Sequence, residues 1–217
     1  MIRFAKVSHS LREKGVAPLP VLRNVSVDLP ANRRLVVLGE DIKAVSEVLL
    51  MLAGMRKPDR GWISFGDLRC SPVINAGSFA GRTLVGPLSA ADNIRLAART
   101  HGLDEAALIA VVESGCQLGS RLTAPVNSFD RVVRRKLEAT LIAAIPFDCY
   151  YIDRLHEFEG HIIWQFVHVA AQRGAGIVFT SRMPNQTLKF AQLAATVENG
   201  SLELCRDVKE ALAEHAG

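Results

Sequence analysis

RLVVLGEDIKAVSEVLLMLAGMR, residues Arg34 to Arg56, sets the reading of this chain. Leu35 to Leu38 is a continuous apolar run, the pattern of a strand buried on both faces. Gly39 marks a turn, and Val45, Val48, Leu49 and Leu52 then repeat at the spacing of a helix packed on a sheet. Strand, glycine turn and helix form the scaffold of a phosphate-binding P-loop, which aims backbone N–H groups and the positive end of a helix at phosphates. The P-loop pattern is G-x-x-x-x-G-K-[ST], and the matching residues here are Gly39-Glu40-Asp41-Ile42-Lys43-Ala44-Val45-Ser46. Only Gly39 and Ser46 fit. Ile42 and Ala44 bring side chains where backbone must approach a ligand or take positive φ, and Val45 stands in the lysine position. Glu40 and Asp41 add two carboxylates beside a site for a polyanion. One like-charge contact at 4 Å costs up to about 4 kcal/mol at an effective dielectric near 20, before screening by solvent. Lys43 lies two positions early for the lysine role.

The chain has 217 residues, enough for one α/β domain with a full core. No apolar stretch approaches the length of a membrane-spanning helix, and MIRFAKVSHS lacks the apolar centre of a signal peptide. A cytoplasmic location is expected. Cys70, Cys116, Cys149 and Cys205 are far apart and never form C-x-x-C, which argues against a zinc site or disulfide framework and for reduced, structural thiols. The net charge of +4 is modest and aromatics are 6% of the residues, which disfavours a nucleic-acid partner. The clusters Arg131-Arg134-Arg135-Lys136 and Arg56-Lys57-Arg60 read as a solvated helix end and a turn, with weak attraction to anionic lipid headgroups as the alternative. His156, His161 and His168 do not share one helical face, so no metal site is expected of them. Trp62 and Trp164 read as core residues.

Along the chain, Ile2–Val7 and Val21–Leu29 read as paired strands, and Lys57-Pro58-Asp59-Arg60-Gly61 turns into a strand at 62–65. Residues 71–90, rich in Gly, Ser and Pro, read as loop. Helical patterns follow over 92–101, 103–115 and about 130–144, with Asp104 as an N-cap. Strands at 149–152 and 176–180 flank a helix over about 160–172. A helix near 185–193, a hairpin over 195–205 turning at Asn199-Gly200, and a helix over 207–215 complete the order. The fold class is α/β: residues 1–90 and 145–217 make a core with a mostly parallel sheet and an N-terminal antiparallel portion, and 91–144 form an inserted helical subdomain of one domain.

This order resembles the nucleotide-binding subunits of ABC transporters, in the branch that exports capsular and related surface polysaccharides. The resemblance spans nearly the whole chain. It rests on Val21-Leu22-Arg23-Asn24-Val25-Ser26, on Leu50-Met51-Leu52-Ala53-Gly54 with Lys57-Pro58-Asp59-Arg60-Gly61, on the loop from Ser71-Pro72-Val73 to Phe79-Ala80-Gly81, on Asp92-Asn93-Ile94-Arg95, and on Ala144 to Asp153. It implies a vestigial nucleotide site at Gly39, Lys43, Ser46 and Asp153, with Asp153 as the magnesium-associated carboxylate. The residue after it, where the family places a general base, is Arg154, which cannot accept a proton. The switch histidine falls on Arg182, the signature turn on Asp130, Arg131 and Val132 with no glycine, the Q-loop glutamine on Ala80 and the adenine-stacking aromatic on Leu11.

Loss of the lysine (Val45), the base (Arg154), the switch histidine (Arg182), the signature glycines and the glutamine together removes most of what phosphoryl transfer needs. No catalytic residue, bound metal or cofactor is expected. The reading is a degenerate, non-hydrolytic subunit, peripheral to the inner membrane. Its expected partners are a polysaccharide-exporting membrane permease and either a second copy of itself or an active ABC ATPase. Two alternatives remain: a working ATPase that uses ATP and Mg through an unusual site, and a soluble scaffold that kept the fold without transporter contact.

Overall fold

The computed structural model describes all of the chain except residues 13, 14, 16, 75–82, 159–161 and 216–217. The stretch that opens the sequence reading lies at its centre. Strand β3 (Arg34–Leu38) is flanked on both sides by parallel partners, β7 (Gly176–Phe179) and β8 (Leu193–Glu198). Its apolar run is continuous because both faces are covered. Leu35 and Val37 join one core cluster while Val36 and Leu38 join the other. The sheet is completed by β6 (Cys149–Ile152), β5 (Cys70–Ile74) and β9 (Ser201–Cys205), in the order β5-β6-β7-β3-β8-β9, with only β9 antiparallel.

A second, antiparallel sheet of β1 (Ile2–Leu11), β2 (Leu19–Leu29) and β4 (Arg60–Ser64) has the order β2-β1-β4. Helix α1 (Ile42–Leu52) lies between the two sheets and buries Val45, Val48, Leu49, Met51 and Leu52 against them. On the opposite face of the parallel sheet pack α4 (Arg131–Ala144), α5 (Ile162–Gln172), α6 (Pro184–Phe190) and α7 (Val208–His215). Helices α2 (Ala90–His101) and α3 (Glu105–Cys116) precede α4 in the chain and pack beside it, and short 3-10 turns cover 119–123 and 126–128.

Two readings are corrected. Residues 70–74, expected in part as loop, form β5; Pro72 is tolerated because β5 is an edge strand, where a missing N–H leaves no ladder bond unmade. Trp62 is 54% exposed rather than core, because β4 is itself the edge of its sheet. Trp164 packs on the core, its ring 4.9 Å from that of His168 and 5.2 Å from that of Phe190. Ala80 and His161 lie outside the described residues.

Candidate functional site

Because β3, β6 and β7 are parallel, Gly39, Asp153 and Thr180, which follow them, emerge at one end of the sheet. This is the end at which open α/β sheets take ligands. A cavity of about 730 Å³ opens there, lined by Gly39, Glu40, Val45, Ser46, Asp153, Arg154 and Arg182 among others. The fold therefore brings together these seven residues, all singled out in the sequence, with Ile42 beside them. Lys43 is absent from the lining, and so are Asp130, Arg131 and Val132 at the start of α4. A larger hollow of about 1010 Å³ at the other end, floored by Pro30, Phe147 and Phe166, is lined by none of Gly39, Lys43, Ser46 and Asp153.

The local chain path decides what the first part of this cavity does. Helix α1 begins at Ile42, so only Gly39, Glu40 and Asp41 separate it from β3, and the last five residues of the P-loop pattern are helical. Asp41 is the N-cap. Its Oδ1 accepts from the backbone N–H of Lys43 at 2.8 Å and of Ala44 at 3.2 Å, while its carbonyl oxygen accepts from Val45 N–H at 3.0 Å. The N–H groups of Lys43, Ala44 and Val45 at the helix start are thus bonded within the chain. The carboxylate also meets the positive helix end that would attract a polyanion. Val45 is buried, and a Cβ built on Gly39 would lie 3.0 Å from Val45 Cγ2 and 2.5 Å from the Val197 carbonyl oxygen. Close packing against β8 is therefore a sufficient reason for a glycine at position 39. The next residue after Ser46 is Glu47, buried and bonded to His9 Nε2 at 3.2 Å and to Arg56 Nε at 2.9 Å, which ties α1 to β1.

At the end of β6, Asp153 Oδ1 accepts from the Thr180 hydroxyl at 2.7 Å, and Arg154 Nε lies 3.4 Å from Asp153 Oδ2. Arg154 N–H donates to Thr180 Oγ1 at 2.7 Å, and its Nη1 is 2.9 Å from Glu157 Oε1. The guanidinium therefore lies against the carboxylate that the resemblance pairs with magnesium. Arg182 is exposed, and its backbone N–H donates to His156 Nδ1 at 3.3 Å. At α4, Asp130 repeats the device seen at α1, its Oδ1 accepting from Val133 N–H at 2.9 Å. The helix starts at the P-loop and signature positions are thus both capped by their own carboxylates.

Among the described residues no group of three His, Cys, Asp or Glu is arranged to hold a metal, and no helix is long and apolar enough to cross a membrane. All four cysteines are free. Burial pushes the Cys149 thiol up to about 12 and raises Cys70 and Tyr151 as well. The Cys70 Sγ and Tyr151 hydroxyl are 3.4 Å apart in the core between the sheets, away from the cavity. These thiols are structural rather than nucleophilic.

The two-sheet arrangement around α1, with its cavity at the end of β3, β6 and β7, is that of ABC-transporter ATP-binding subunits. The chain has TM-scores of 0.67 to a structure titled as the ATP-binding subunit of an ABC transporter and 0.69 to the dimeric ABC transporter cassette MJ0796. Identities are 17% and 15%, over 93% and 94% of this chain and 88% and 97% of those chains. By sequence it is related to the capsule-export branch of that class. It is 23% identical to the ATP-binding protein BexA of Haemophilus influenzae over 88% of this chain and 87% of that protein. To the capsule polysaccharide export ATP-binding protein CtrD of Neisseria meningitidis it is 27% identical over 88% of each chain. No family model matches the chain.

ATP and magnesium, which that class implies, do not fit the residues present. A triphosphate at α1 would have to displace the Asp41 carboxylate from two N–H groups and would meet Glu40, with Val45 giving no charge in return. A divalent ion at Asp153 would have to displace Arg154.

Proposed function

We propose that the chain is a non-hydrolytic ABC-ATPase-like subunit that acts as a partner or regulator in the export of capsular or related surface polysaccharide. Residues 91–144 serve as its helical subdomain and dock a membrane permease, holding the chain on the cytoplasmic face of the inner membrane. Its other partner is an active ATP-binding subunit or a second copy of itself. The observation that carries this reading is the Asp41 carboxylate seated on the N–H groups at the start of α1. The polysaccharide assignment is supported by relatives named for capsule polysaccharide export or polysialic acid transport.

The test has two arms. The purified chain, incubated with ATP and magnesium, is expected to release no phosphate above a blank, and the chain expressed with its exporter is expected to co-purify with the permease. Magnesium-dependent turnover would overturn the reading in favour of an ATPase with an unusual site, which the shared lining of Gly39, Ser46 and Asp153 favours. Recovery in a soluble complex without permease would favour a scaffold.

A further inference from the structure

We infer that the Arg154 guanidinium is a resident cation: it occupies the charge site beside Asp153 in place of a divalent ion, and it clamps α4 to the sheet without any ligand. This inference rests on the non-hydrolytic reading and goes further, assigning a positioning role to a residue whose type only excludes it as a base.

The geometry is continuous from strand end to helix. Thr180, at the end of β7, donates its hydroxyl to one oxygen of Asp153, and Arg154 lies against the other. From there Arg154 reaches Glu157 Oε1 at 2.9 Å, and Glu157 Oε2 lies 3.6 Å from Arg135 Nη2 in the second turn of α4. Two guanidiniums and two carboxylates make a neutral chain that joins β6, β7 and α4. Its centre is shielded, the Asp153 side chain being only 14% exposed. The backbone is committed to the arrangement too. Arg154 has φ +52°, a left-handed conformation that opposes any residue with a Cβ and that persists where surrounding contacts determine it. Here those contacts are the bond from its own N–H to Thr180 and the two ion pairs of its side chain. A planar guanidinium spans two carboxylates in a way that an ammonium does not, which fits arginine at this position.

The experiment uses the whole chain, without nucleotide, as wild type, Arg154→Lys, Arg154→Gln and Arg154→Ala. Hydrogen–deuterium exchange reads the first turns of α4, and water-proton relaxation in Mn²⁺ titrations reads divalent-ion binding. In Arg154→Ala and Arg154→Gln, amides of residues 134–138 should exchange about two- to fivefold faster, the scale of losing a partly exposed ion pair. Mn²⁺ should bind those two variants, lose that binding when Asp153→Asn is added, and be excluded by wild type. Arg154→Lys should still exclude Mn²⁺ but loosen α4, since it holds one carboxylate at a time. Use of both neutral variants guards against one failing to fold. Mn²⁺ binding by wild type equal to that of Arg154→Ala, or unchanged α4 exchange in both neutral variants, would overturn the inference. Neither readout involves ATP, so ATP turnover by wild type would separately defeat the non-hydrolytic reading.

Discussion

Replacing Asp41 by alanine tests whether the α1 N-terminus is satisfied from within the chain. In the native protein one carboxylate oxygen takes two N–H groups, at 2.8 and 3.2 Å, at the head of a helix that buries seven apolar side chains between the sheets. Lys43 is exposed, so water replaces the lost bond there. Ala44 is buried, so its N–H is harder to resolvate. That places the cost toward the upper half of the N-cap range, about 1.5 kcal/mol, or a fall in Tm of about 3–6 °C for a chain of this size. Asp41→Asn keeps an acceptor and loses only the charge on the helix dipole, so its cost should be about 0.5 kcal/mol. The assay is thermal unfolding by circular dichroism at fixed pH and salt, with and without ATP and magnesium. An Asp41→Ala protein that melts with wild type would show that the carboxylate does not hold the helix. A nucleotide-dependent rise in wild-type Tm would show that it yields to phosphate.

The double variant Val45→Lys with Arg154→Glu should not hydrolyse ATP in a phosphate-release assay, because the signature glycines are absent and Glu40 and Asp41 remain; turnover like that of an ordinary ABC subunit would show that Glu40 and Asp41 do not exclude ATP. Gly39→Ala should destabilise the fold by about 1–3 kcal/mol in denaturant titration, because its Cβ would lie 2.5 Å from the Val197 carbonyl oxygen; a neutral result would remove the packing reason for that glycine. Cys149 should resist iodoacetamide at pH 9 in the folded chain. With its thiol pushed up to about 12, about one molecule in a thousand carries the reactive thiolate, and the fraction rises only as pH approaches that value. Fast labelling of Cys149 would place it in a less buried setting.

Much of the architecture is legible in the sequence because burial writes itself into periodicity. The run Leu35–Leu38 reads as a doubly covered strand, and alternate residues of β3 do enter opposite cores. The 3.6-residue pattern from Val45 marks α1, and Asn199-Gly200 marks the turn between β8 and β9. Edge strands are harder, since half their surface is free of the core. Pro72 and Ser71 hide β5, and Trp62 points to a core that β4 only borders. At the candidate site, residue types reveal what is missing but not what the replacements do. In the sequence Asp41 reads as a charge repelling a polyanion, whereas in the fold it is the helix cap. Its place just before Ile42-Lys43-Ala44 is an N-cap signal that could have been read. Arg154 reads only as a lost base, and no local pattern announces its φ of +52° or its pairing with Glu157.

The most direct measurement is a crystal of the wild-type chain grown or soaked with ATP and magnesium. Asp41 should stay hydrogen-bonded to Lys43 and Ala44, Arg154 should stay against Asp153, and no triphosphate should lie around residues 39–46. A triphosphate wrapped by that segment, with a divalent ion beside Asp153, would show that the site still holds nucleotide.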